Sequence, residues 1–593
     1  MTGPTTACDR DEIVFRDGFH EQEYEEGVPF RWMSDHGRLE WRPSSQARFF
    51  EIEVCSEVRD LSQALAIEID GRPSRFALVH GWSTLPAEIP EGARSAELSV
   101  SHVLPADHHP RDSRVLAVRI RRPLLHDDGE RYRAVSVAFA NTERNQREIL
   151  SGADRLASTP VNLGVDIHGA CNIKPPCVYC EWDSNKRLEG ANAERSFTIE
   201  TLKGYGRFFD QAAQIFNCSI GEPFMKRDLP EIFELINDRG ALLELSTNGQ
   251  ILTEEQLHAL IGRRIHLYVS IDAASAETYA RLRNRRFGSV MTNVRKLVRA
   301  KGGRGRFPLV DLIFMPMRAN LHELDAFVRL CAELEVDRLV LRPLNAVPEL
   351  DLDCERAGYV YRYHDELLPL KERIRLSGYA HELCRRNGVA LANQLDFGGA
   401  TAEMFTEWWE EGRQRALAPP EKEAGQGTQT ADIREEPQET TAGGSPPAIE
   451  SRPLPPAVSG SAFDGSGWPL CIEPWRTLCV LRRGILPCSY GGRPVAAMDD
   501  LEGAWNGDAI RSIRAALARG RFHRYCLRTP SCPVVQKYRK AVVLPMSQRA
   551  LALLYDVWFI LNRTTGGAPR ATWRALKAFL ACIPGRPRSR TKR

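Results

Sequence analysis

Between residues 161 and 344 short apolar runs alternate with amphipathic stretches, and this alternation restricts the fold more than any other feature of the chain. The runs at 162–167, 214–220, 242–247, 265–271, 310–314 and 339–344 have the length of strands. Amphipathic helical patterns at 254–260, 276–282, 290–300 and 321–334 lie between several of them. Strands separated by helices pair in parallel through right-handed crossovers. The segment is therefore α/β, with a parallel sheet either open or closed as a barrel. On such sheets, groups that do chemistry gather at the C-terminal ends of the strands.

The 593 residues leave room for further domains on both sides. A charged fraction of 26% with a net charge of +3 is that of a globular chain without the basic field of a nucleic-acid binder. Residues 46–140 read as β-rich: Phe50, Ile52 and Val54 alternate with polar neighbours, as do Leu116, Val118 and Ile120, and Asp70-Gly71 marks a turn. This predicts an accessory β-sandwich within residues 1–150. Glu410 to Ser461 lacks aromatic residues and is rich in Pro, Gly, Thr, Glu and Gln, which predicts a disordered linker over 410–462. A small domain follows at 463–540, and then a helical basic tail at 541–593 with helical candidates at 549–561 and 571–582. The first residues lack an apolar run behind a basic stretch, and Asp556 breaks the longest late apolar run. A cytoplasmic chain is expected.

The densest chemical signal is Cys171-x5-Cys177-x2-Cys180, on a loop just past the first predicted strand. Three thiolates so close can wrap one metal centre and leave one position open. His168 adds a second possibility, a closed Cys3His zinc site. The cysteines alone leave structural zinc and an iron–sulfur cluster equally open. The next strands end in Gly221-Glu222-Pro223, in Ser246-Thr-Asn248-Gly249 and in Ser270-Ile-Asp272. These polar ends share the cysteine loop's side of the sheet. A zinc knuckle gives no reason for them, whereas a barrel mouth that holds a cluster and a polar cofactor does.

As a set, these residues resemble the radical S-adenosylmethionine enzymes over roughly residues 158–350. The resemblance implies a partial (β/α)6 TIM-type barrel within 158–400. It implies that Cys171, Cys177 and Cys180 hold a [4Fe–4S] cluster and that Tyr179 lies near the adenine of S-adenosylmethionine. Gly221 and Glu222 match the motif that meets the cofactor's amino group, although Ile220 stands where the family has a first glycine. Ser270 matches the ribose contact, and Arg283, with Arg281 as a substitute, the group facing the methionine carboxylate. The first cysteine gap is five residues where the commonest family spacing is three. The implied activity is reductive cleavage of S-adenosylmethionine to a 5′-deoxyadenosyl radical that abstracts hydrogen from a substrate. A reducing partner such as flavodoxin or ferredoxin is implied with it.

A second set, Cys471-Ile-Glu-Pro474-Trp475, Pro487-Cys488 and Cys526-x5-Cys532, resembles the SPASM and twitch extensions of these enzymes. The expected outcome is a small auxiliary-cluster domain with one iron–sulfur cluster on Cys471, Cys488, Cys526 and Cys532. His523 and Gln536 stand where a fuller motif continues its cysteines. Zinc on the same four thiolates is the alternative, and Cys479 is a spare strand residue or a substitute ligand. Cys8, Cys55, Cys218, Cys331, Cys354, Cys384 and Cys582 lack ligand spacing and read as inert thiols.

His102, His108 and His109, near Asp107 and Asp112, read as a polar loop in preference to a metal site. Arg342 is either a contact for a substrate phosphate or carboxylate, or a rim ion pair. The 571–582 pattern and basic tail fit either an anionic membrane surface or, preferably, a helix packed on the C-terminal domain. The N-terminal cues resemble sandwich modules of bacterial glycan-handling enzymes, so the first expectation for the substrate is a sugar or glycan precursor. A peptide-modifying maturase is the runner-up, and a non-catalytic zinc protein is the reading outside this chemistry. No nucleic-acid partner is expected.

Overall fold

A computed structural model describes residues 13–25, 28–42, 47–109, 112–180, 197–344, 352–395, 402–417, 468–527, 529, 532 and 534–535. The first ten strands make two antiparallel five-stranded sheets. One contains β1 (Ile13–Phe15), β4 (His36–Trp41), β6 (Ala64–Ile69), β7 (Arg72–Ala77) and β9 (Ser95–Val100). The other contains β2 (Phe19–Glu25), β3 (Val28–Met33), β5 (Phe49–Ser56), β8 (Gly81–Glu88) and β10 (Val118–His126). Phe50, Ile52, Leu65, Ile67, Leu85 and Leu98 fill the space between the sheets. The sandwich begins earlier than the β-rich reading of 46–140 and ends sooner. Asp128 accepts from the amides of Glu130 and Arg131 and starts a helix, α1 (Gly129–Leu150), where strand had been expected to continue. Phe139 of α1 packs into the sandwich core and Ile149 into the core of the next unit, so this helix joins the two.

The six expected strands are present: β11 (Asn162–Val165), β12 (Gln214–Asn217), β13 (Leu242–Thr247), β14 (Ile265–Ser270), β15 (Leu309–Phe314) and β16 (Arg338–Leu341). They lie side by side in chain order, all parallel. Leu243, Leu245, Leu267, Val269, Leu312 and Leu339 pack on helices through Phe233, Val294 and Phe327. The pleat turns the alternate residues, Glu244, His266, Tyr268, Asp311 and Arg338, to the opposite face. This is the partial α/β barrel; among the described residues the sheet does not close on itself.

A small hairpin, β17 (Cys354–Arg356) with β18 (Tyr359–Tyr361), follows, and β19 (Ala390–Asn393) then extends the sheet beyond β16. At the other edge β20 (Thr477–Leu481) pairs in parallel with β11, and β21 (Gly484–Leu486) folds back on it. The C-terminal segment thus contributes a strand to the barrel sheet, where a separate small domain had been expected.

The linker reading also changes at its start, because a helix spans Ala402–Leu417. Gly412 there is a contact residue: a β-carbon on it would stand 1.9 Å from the Arg375 carbonyl of the facing helix Leu370–Arg386. The rest of the expected linker, the helical candidates at 549–561 and 571–582, the basic tail, Cys8, Cys582 and Gln536 lie outside the described residues. Among the described residues no helix is long and apolar enough to cross a membrane.

Candidate functional site

The cysteine loop follows β11 and is anchored by two buried apolar residues, Ile173 and Val178. Val178 is buried among Leu282, Met317, Tyr361 and Tyr363, and its amide donates to the Leu282 carbonyl at 3.0 Å. The Cys180 amide donates to the Cys177 carbonyl. Arg356 of β17 clamps the loop from outside, donating to the carbonyls of Pro176 (2.7 Å) and Arg283 (2.9 Å). Burial pushes the Cys177 thiol up, and the Arg283 charge opposes this. Nη1 of Arg283 lies 3.8 Å from the Cys177 sulfur.

Asn248 ties three separately predicted segments together. Its amide donates to Glu222 Oε2 at 2.6 Å, and its Nδ2 reaches Asn172 Oδ1 at 2.7 Å and the Cys171 sulfur at 3.9 Å. Glu222 is 1% exposed and also accepts from the Thr247 hydroxyl and the Phe224 amide. Burial raises its pKa, and these donors oppose the rise. Gly221 is where the backbones touch: a β-carbon there would stand 1.9 Å from the His168 carbonyl, and the neighbouring Glu222 amide donates to Ala170 at 2.7 Å. Glu222 therefore braces the strand ends as well as facing the site.

Asp272 centres the third group. Its Oδ2 accepts from the Tyr179 hydroxyl at 2.5 Å and from Nη2 of Arg283 at 2.6 Å, while Oδ1 accepts from the Met315 amide. The Arg283 guanidinium lies 5.5 Å from the Tyr179 ring centre. Arg283, offered by the sequence as a cofactor contact, is thus already balanced by a buried carboxylate. Arg281 pairs with Glu277, four residues away on its own helix. Ser270, half-buried, ends β14 two residues before Asp272. Asn248, Asp272 and Arg356 were not among the nominated site residues. For the first two the strand-end rule was an available signal; for Arg356 none was.

His168, the fourth ligand of the alternative zinc site, is half-buried. Burial depresses the His168 pKa, and the charges bearing on it are those of Lys226, Arg482 and Asp228, with no thiolate among them. Its Nε2 is buried without a hydrogen-bond partner among the described residues. Among the described residues, the one trio of ligating side chains with donor atoms all within 4.8 Å is Glu57, His108 and His109. The sulfurs of Cys171, Cys177 and Cys180 do not form such a trio.

Residues 165–331 match the family model described as the Radical SAM superfamily. This segment is a radical SAM domain. Domains of this family use a [4Fe–4S] cluster and S-adenosylmethionine. Among solved structures, the chain is similar to SuiB of Streptococcus suis bound to the precursor peptide SuiA, at 14% identity and a TM-score of 0.39. That match covers 63% of this chain and 70% of SuiB. It is also similar to anSMEcpe with bound AdoMet, at 14% identity and a TM-score of 0.30, over 40% of this chain and 61% of that one.

Beside the radical SAM domain, the second cysteine set gathers beyond β20 and β21. Cys471 is pushed up to about 12 and Cys526 to about 11, each mainly by burial, and the charges of Cys532 and Cys526 both bear on Cys471. Burial also raises Cys488, which feels Cys479, Glu473 and Cys471. His523 is turned to Ser512 (3.4 Å) and accepts from the Tyr525 amide. Cys479 is a buried β20 residue that packs against Cys218 of the radical SAM domain, whose thiol donates to the Val165 carbonyl at 3.4 Å and whose pKa burial raises strongly. Gly164 makes the room, since a β-carbon on it would stand 2.8 Å from the Cys479 sulfur.

On the sheet face away from the helices, His266 lies 2.7 Å from Asp311, and Arg338 also binds Asp311. Arg342, just past β16, donates to Gln394 at 3.2 Å and sits 5.6 Å from the Tyr268 ring centre. Burial lowers its pKa, and among the described residues no carboxylate is within ion-pair distance of it.

Proposed function

We propose that this chain is a radical SAM enzyme whose cluster is held by Cys171, Cys177 and Cys180. The observation that carries the assignment is Asn248, which links the cysteine loop to Glu222 and so brings the cluster ligands and the cofactor motif to one strand end. Tyr179, Gly221, Glu222, Ser270 and Arg283 would frame S-adenosylmethionine around that loop. Bound there, the cluster and cofactor supply one electron and a 5′-deoxyadenosyl radical for hydrogen abstraction.

The chain's own residues do the rest. Arg283 places a cation beside the Cys177 sulfur, and Asp272 holds that cation and Tyr179 in one orientation. Val178, Leu282, Met317 and Tyr361 exclude water behind the loop. Glu222 fixes the ends of β12 and β13 against the loop. Cys471, Cys488, Cys526 and Cys532 would hold one auxiliary iron–sulfur cluster.

The substrate is polar, in our reading a sugar or glycan precursor. Support comes from the hydrogen-bonding face built by His266, Tyr268, Asp311 and Arg338, and from Arg342, placed for a carboxylate or phosphate. A flavodoxin or ferredoxin would deliver the electron.

Anaerobic chain supplied with S-adenosylmethionine and dithionite should yield 5′-deoxyadenosine. C177A should abolish it, whereas C488A should leave cofactor cleavage measurable. Cleavage that persists in C177A, or stoichiometric zinc without iron, overturns the assignment.

A further inference from the structure

The loop between β9 and β10 of the sandwich turns His108 and His109 onto Glu57, just past the end of β5. Nε2 of His108 lies 2.8 Å and Nε2 of His109 3.0 Å from the same carboxylate oxygen, Oε2. The three donor atoms all lie within 4.8 Å of one another. The carboxylate comes from Glu57, 51 residues before His108. It does not come from the adjacent Asp112, which is spent on Arg114 at 2.6 Å. This convergence is not visible in the spacing of the loop, which reads as merely polar.

We propose that Glu57, His108 and His109 bind one divalent cation of the zinc class, with water filling the remaining position. Two imidazole nitrogens and a carboxylate oxygen are the donor set of an open tetrahedral zinc site. The ligands are oriented without the ion. Nη2 of Arg119 sits 3.3 Å from Glu57 Oε1 and leaves Oε2 to the shared position. Trp32 meets the His109 ring edge-on at 5.4 Å between centres. The two imidazoles stand at 77° to each other, so their nitrogens converge without the rings stacking.

The turn is closed by the His108 amide on Pro105 and the Asp112 amide on His109. Both histidine side chains are more than one-third exposed, which gives an ion and its water access. Binding replaces the Nε2 hydrogen bonds to Oε2 by bonds to the ion, and each neutral imidazole carries its proton on Nδ1 instead. The ion would tie the long β9–β10 loop to the end of β5, a fastening remote in sequence from the radical SAM cysteines.

The test uses cluster-loaded full-length protein, equilibrated with low-micromolar zinc chloride, desalted, and assayed for zinc and iron. Wild-type protein should hold one zinc per chain more than H108A/H109A at equal iron, and its zinc-edge absorption should show nitrogen and oxygen neighbours with imidazole scattering. E57Q serves as a second, milder variant and should bind at least tenfold more weakly. Equal zinc in wild type and both variants, or a sulfur shell around the extra zinc, overturns the proposal.

Discussion

Arg482 donates to Asp166 across 2.7 Å, in a buried ion pair that joins residues 316 positions apart. Asp166 directly follows β11, and Arg482 directly follows β20. A β-carbon on Gly169, at the start of the cysteine loop, would stand 1.9 Å from Nη2 of Arg482. The C-terminal segment therefore supports the start of the cysteine loop.

D166N should strand a buried cation. Breaking one partner of such a pair costs about 3–5 kcal/mol. Anaerobic urea unfolding of the full chain should show a loss of that size, and D166N/R482M should recover most of it.

G221A should fail at the site while the sandwich stays folded. The added carbon overlaps the His168 carbonyl, and relief requires the loop to shift. A displacement of about 1 Å at a reacting centre costs on the order of 10²-fold in rate. Formation of 5′-deoxyadenosine should fall by that factor, with unchanged hydrogen exchange in β5 and β8.

R356A removes both bonds from β17 to the loop segments at Pro176 and Arg283. Hydrogen bonds from a charged donor are worth roughly 1.5–3 kcal/mol each. Iron retention and cofactor cleavage should both drop in R356A, and R356K, which keeps a donor, should recover part of each. A change in the cluster's electron paramagnetic resonance line in R356A would separate an effect on the loop from general destabilisation.

The sandwich should be acid-labile through Glu51. Burial alone would raise its pKa, but the charge and hydrogen bonds of Arg131, together with His126, hold it down at about 2. The folded carboxylate thus takes up its proton far below the unfolded one, so the stability is complete above about pH 5 and is lost as pH falls towards 2. The amount is about 3 kcal/mol. Hydrogen exchange of β5 and α1 should accelerate over that window, and E51Q should exchange faster already at pH 7 with a flatter acid response.

The order and direction of the barrel strands were legible because each of β11 to β16 carries its own apolar alternation, and each crossover has one allowed hand. The cysteine loop and Gly221-Glu222 stood out because their polar residues are concentrated in short stretches just past β11 and β12. Asp272 was visible only as a polar strand end. Its role depends on Tyr179 and Arg283 meeting the same oxygen, and no local pattern encodes that. Gly412 shows the opposite failure: a glycine in a polar stretch signalled a linker, whereas its missing side chain lets two helices touch.

By itself, then, the amino-acid sequence determined the parallel α/β core and the two-sheet character of the N-terminal region, because these follow from periodicity and short-range spacing. Only the tertiary structure decided that β20 joins the barrel sheet, that Arg356 clamps the loop, that Arg283 is balanced by Asp272, and that Glu57 meets His108 and His109. Each of these depends on contacts between distant segments. Such contacts form through packing and burial that the whole chain settles together, and they leave no periodic trace in either partner.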